Sequence, residues 1–171
     1  MERRAGRGAA GGAAEQPAAH ADHRRRRLEQ RPGARRLALP ADDRNLIATF
    51  HYYSPMEVTH QGAEWVSGAG AWVGTTWSGT AAQRQRLRDD FDRVARWAAR
   101  EKRPVLLGEF GAYSRAPEPT RPAWTRAVRE EAESRGFSWA YWELASSFGV
   151  LEPLSLQWRR PLLETLLPVA R

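Results

Sequence analysis

Residues Pro104 to Gly111 read Pro-Val-Leu-Leu-Gly-Glu-Phe-Gly, a short apolar run that ends in a carboxylate with a glycine on either side of the Glu-Phe pair. An ionised group inside a buried strand is too costly to desolvate, so the pattern fits a parallel strand whose C-terminal end opens on a cleft. Glu109 is therefore the first candidate for chemistry. The same residues also fit a structural glutamate paired with an arginine.

The neighbouring segments give that strand its context. Leu46 to Tyr53 is β-branched and aromatic and stops at Ser54-Pro55, which reads as a strand. Phe137 to Leu144 reads as another. From Ala81 to Lys102, Leu87, Phe91, Val94, Ala95 and Ala98 recur at helical spacing opposite Arg84, Arg88, Asp92 and Arg96, the pattern of an amphipathic helix. Pro122 fits the first turn of a second helix running to Arg135, with Gly136 as its stop, and Pro161 to Leu167 closes the chain as a short helix. Ser54 to Thr80 remains a long loop that carries Trp65, Trp72 and Trp77, and loops of this length in compact domains are usually functional.

Alternating strands and helices imply an α/β chain of parallel βαβ units, in either an open sheet or part of a barrel. Ligand sites in both gather at the carboxyl ends of the strands. That rim would receive His51 and Tyr53 from one strand, Glu109 from the next and Trp142 from the third.

Length and charge narrow the class. The chain has 171 residues, short of the about 250 of a complete eight-fold α/β barrel. Its net charge of +7 is concentrated in residues 1–36, which hold 10 Arg against 4 acidic residues. This Ala/Arg/Gly-rich head lacks the apolar content to fold and is expected to be disordered. It has no aromatic residue to stack on bases, which argues against a nucleic-acid partner. Such a composition also arises when GC-rich DNA is read upstream of a true start, so residues 1–36 stand as possible non-native coding sequence. With no cysteine, disulfides and thiolate metal sites are excluded. No apolar run is long enough for a membrane span and the N-terminus has no apolar export core, so neither a membrane partner nor a localisation is assigned.

A carboxylate, an imidazole, a phenol and an indole around one cleft suit carbohydrate chemistry. The carboxylate can attack an anomeric carbon, a phenol can hold it in place, and an indole can pack on a sugar face. Each residue also has a purely structural alternative: His51 a satisfied core histidine, Tyr53 a buried aromatic, Trp142 core packing. His51 and His60 lack the spacing of a helical metal pair, there is no Gly-x-Ser-x-Gly elbow, and no glycine-rich phosphate loop precedes a Lys. No metal or other cofactor is expected.

The run Thr49-Phe50-His51-Tyr52-Tyr53-Ser54-Pro55, continued by Thr59 to Trp65, resembles the sixth strand and following loop of glycoside hydrolase family 5, the cellulase family. Leu107-Gly108-Glu109-Phe110-Gly111 is similar to the seventh strand of that family, and Ser138 to Glu143 to the eighth. The resemblance implies a (β/α)8 TIM barrel of which residues 37–168 supply about the last three βα units. It implies that Glu109 is the catalytic nucleophile, with His51 and Tyr53 lining the subsite where the bond is cut. Trp142 would be the platform under that sugar, and Trp65, with Trp72 and Trp77, would extend the groove. The implied activity is retaining hydrolysis of a β-linked polysaccharide.

The family's acid/base glutamate lies in an Asn-Glu-Pro segment on the fourth strand, and this chain has no Asn-Glu pair. A retaining mechanism needs two carboxyls about 5 to 5.5 Å apart. The chain alone is therefore expected to be nearly inactive, with strand edges open to association. Glu143 alternates with Trp142 and should face the other side of its strand. A non-catalytic carbohydrate-binding remnant and a truncated product without independent function are the rival readings.

Overall fold

The computed structural model describes residues 39–168. The disorder expected of residues 1–36 lies outside the described residues. Three parallel strands form one sheet in the order β1 (Ala48–Tyr52), β2 (Val105–Phe110), β3 (Ser138–Trp139). Between β1 and β2 run α1 (Met56–Thr59), a 3-10 turn at Ala69–Trp72 and the long α2 (Ala81–Glu101). Helix α3 (Thr120–Glu133) joins β2 to β3, and α4 (Arg160–Leu166) ends the described chain.

The helices pack on one face of the sheet, as the alternation of β1 dictates. Phe50 and Tyr52 are buried toward α2 and α3, while Thr49 and His51 point the other way and are exposed. Phe91 of α2 meets both strand residues edge-on, with ring centroids 5.5 Å from Phe50 and 5.2 Å from Tyr52, and Trp124 of α3 stacks on Tyr52. Edge-on pairs of this kind set the quadrupole of one ring against the other and fix the helices over the strands. The five apolar positions that mark α2 in the sequence all join this core.

The helix ends follow local chemistry. Thr80 and Gln83 form a capping box at the start of α2: the Gln83 backbone N–H donates to the Thr80 hydroxyl at 3.3 Å and the Thr80 backbone N–H donates to the Gln83 side-chain Oε1 at 3.0 Å. Lys102 ends the helix in a left-handed conformation, and Arg103-Pro104 turns the chain into β2.

Two elements depart from the sequence reading. The expected loop from Ser54 to Thr80 contains a helical turn and a 3-10 turn around a buried Gln61, whose side chain donates to the carbonyls of Val58 and Thr75, both at 2.9 Å, and accepts from the Gly74 amide at 2.8 Å. The third strand covers two residues rather than eight. Beyond Trp139 the pairing slips at Gly108: Ala140 donates to the Leu107 carbonyl and Trp142 to that of Phe110, two residues on one side against three on the other.

Candidate active site

The C-terminal ends of β1 and β2 bring His51, Tyr53 and Glu109 together. The Tyr53 hydroxyl donates to Glu109 Oε2 at 3.2 Å, and His51 Nδ1 lies 3.1 Å from the same oxygen. Among the described residues no hydrogen bond reaches Oε1. The side chains of His51 and Glu109 keep 33% and 21% of their surface, so the group is reachable from solvent.

Glu109 reaches this face because the register slips. Phe50 pairs with Leu107 but His51 pairs with Glu109, so Gly108 is an extra residue in β2. In an unbroken ladder Gly108 would oppose His51, and the next side chain would point toward the helices. The bulge therefore turns the carboxylate from the helix side to the open side. It also leaves little room: a Cβ on Gly108 would sit 2.4 Å from Thr49 Oγ1 and 3.3 Å from His51 Nε2. At Gly111 a Cβ would come within 2.1 Å of the Trp142 carbonyl oxygen, so the absence of a side chain lets the strand-exit segments cross.

Burial, and after it the charge and hydrogen bond of Glu109, pushes the Tyr53 phenol far above its ordinary value, which keeps it a donor across the working pH range. Glu143 adds to that shift. β3 ends at Trp139, so strict strand alternation does not extend to Trp142 and Glu143, and the Glu143 charge also helps to raise Tyr141. Glu64 is held elsewhere, accepting from the Tyr113 hydroxyl at 2.8 Å and from Arg115 at 3.2 Å.

The tryptophans divide. Trp142 is 44% exposed beyond the end of β3, and Trp65 is 59% exposed with its ring edge-on to Tyr113 at 5.1 Å. Trp72 is partly buried against a small cluster that includes Tyr113 and Phe148. Trp77, expected in the groove, is 3% exposed within the main core beneath the Arg84 guanidinium. Its indole is taken up in packing and cannot reach a ligand.

Several supporting residues stand outside the set of candidates. Thr59 donates to the Tyr53 carbonyl at 2.6 Å, and His60 packs edge-on against the Tyr53 ring at 5.0 Å. Burial lowers the His60 pKa. Arg121 is buried and ties the loops after β2 and β3 together, donating to the carbonyls of Ala112 at 3.0 Å and of Phe148 at 3.1 Å. A single Thr at the end of α1 or a single Arg in the first turn of α3 has no spacing that could have announced these roles. Among the described residues there is no group of three or more His, Asp or Glu placed to hold a metal ion, and no helix is long and apolar enough to cross a membrane.

The chain as a whole is similar to proteins already known. Endoglucanase H of Acetivibrio thermocellus is 36% identical over 102 residues, which cover 60% of this chain and 10% of that protein. The structure of Cel5A of Thermotoga maritima in complex with cellobiose superimposes with a TM-score of 0.73 at 45% identity, over 76% of this chain and 42% of that one. Cellulose synthase subunit Z of Clostridioides difficile gives 0.72 at 45% identity, over 76% and 43%. The chain thus spans less than half the length of each of these relatives. Residues 19–147 match the family model for cellulase, and the chain belongs to glycosyl hydrolase family 5.

Proposed function

We propose that this chain carries the nucleophile half of a retaining β-glycosidase acting on a β-1,4-glucan or a related β-linked polysaccharide. The observation that carries this reading is Glu109, turned to the open face by the Gly108 bulge and held through one oxygen by Tyr53 beside His51. In the proposed reaction Oε1 of Glu109 attacks the anomeric carbon as the bond to the leaving oxygen breaks. Tyr53 keeps the carboxylate oriented, and Trp142 supports the sugar face. Water then attacks the same carbon, releases the carboxylate and gives up a proton. Cellobiose bound to the Thermotoga relative supports the choice of a glucan.

The sheet is read as about the last three βα units of a (β/α)8 barrel. Support comes from the parallel order, the one-sided helices and the partial superposition on longer family members. Protonation of a poor leaving group requires a second carboxyl, and among the described residues none hydrogen-bonds into the His51, Tyr53 and Glu109 group. Turnover of unactivated glucans is accordingly expected to be low.

A leaving group that departs without a proton separates the two halves of the chemistry. 2,4-Dinitrophenyl β-cellobioside should release dinitrophenolate with this chain, and Glu109→Gln should lower the rate by at least about a hundredfold. Release indistinguishable between the two would refute the assignment. Affinity for cello-oligosaccharides without any release would favour a carbohydrate-binding remnant instead.

A further inference from the structure

We infer that Phe148 is a positioning residue that fixes Tyr53 and Trp65 in one frame and, through Tyr53, sets the Glu109 carboxylate; the inference rests on the proposed site. Phe148 is 4% exposed in the loop after β3, yet its ring meets side chains from the other two strand ends. Its centroid is 6.1 Å from Tyr53 and 5.5 Å from His60, both nearly edge-on, and 5.6 Å from Tyr113 and 6.3 Å from Trp65.

The backbone of Phe148 is itself anchored. Its carbonyl accepts from the Tyr141 hydroxyl at 2.8 Å and from the buried Arg121 at 3.1 Å. The ring is therefore a fixed wall, whereas the rings it touches stand on separate loops. His60 and Phe148 flank Tyr53 together, which restricts the direction of its hydroxyl toward Glu109. Trp65 and Tyr113 lean on the same ring, so the exposed indole and the phenol share a reference. A side chain without a flat face, such as leucine, would keep the burial and lose the edge-on contacts to Tyr53 and His60 and the tilted ones to Tyr113 and Trp65.

The test is a double-mutant cycle on kcat/KM for 2,4-dinitrophenyl β-cellobioside, with Phe148→Leu, Tyr53→Phe and the pair, each checked for a cooperative thermal transition. Phe148→Leu should lower the constant about tenfold alone and less than about twofold when Tyr53 is already Phe, since the route to Glu109 runs through the phenol hydroxyl. Independent, multiplying effects would overturn the inference, as would an unchanged rate. A second readout does not need turnover: in protein labelled at the tyrosine Cζ, Phe148→Leu should move the Tyr53 resonance and leave that of Tyr52, bonded to Asp90 on the opposite face, in place. An unmoved Tyr53 resonance would overturn the inference even if the wild-type chain released no dinitrophenolate, a result that by itself would count against the proposed activity instead.

Discussion

At the level of single residues, the position that decides the site is a glycine. Gly108 supplies the additional residue that brings Glu109 opposite His51, and its missing side chain leaves room for Thr49 and His51 on the same face. Gly108→Ala would drive a methyl group to 2.4 Å from Thr49 Oγ1. It should destabilise the fold by about 1–3 kcal/mol, read as a lower midpoint in thermal or urea denaturation. Thr49 is exposed, so Thr49→Ala costs little on its own, and the double variant should recover most of the loss. An equal penalty with and without Thr49 would mean that the close contact is not the cause. The sequence makes the carboxylate and its flanking glycines visible, because a charge after four apolar positions stands out. The bulge is invisible there, since slipping by one residue is a property of the pairing with β1.

The scale of elements shows which signals survive. Helix α2 follows its apolar spacing to within one residue, because its core face runs unbroken from Leu87 to Ala98 and its capping box is local. The third strand contracts from Phe137–Leu144 to Ser138–Trp139: aromatic content marks the segment, but it does not encode where the register with β2 slips. In the segment after β1 the order comes from Gln61, a residue type usually found at the surface. Its amide closes three hydrogen bonds at once. Gln61→Leu would leave two carbonyls and one N–H of that segment unpaired and should cost about 2–4 kcal/mol in urea denaturation, with faster amide exchange at Gly74. A loss below about 0.5 kcal/mol, with Gly74 exchange unchanged, would show that the segment is ordered by other contacts.

Across the described residues, α2, α3 and α4 cover one face of the sheet, and His51 and Glu109 occupy the other. This division was readable from alternation in β1 and from the βαβ order. The convergence of Tyr53, His60, Trp65, Tyr113 and Phe148 was not, because segments from three strand ends meet through contacts that no spacing encodes. Trp65 and Trp77 look equivalent in sequence, yet one is exposed and the other lies in the core, since the path of a loop rather than the residue type decides burial. The central claim is that Glu109 is the group that becomes bonded to sugar. Incubation with 2-deoxy-2-fluoro-β-cellobiosyl fluoride tests it most directly, because fluoride leaves without a proton and the fluorine at C2 slows hydrolysis of the adduct. Intact-mass and peptide mass spectrometry should find one cellobiosyl adduct per chain, located on Glu109 and absent from Glu109→Gln. An unlabelled chain, or a label carried by Glu143 or Glu64, would contradict the account.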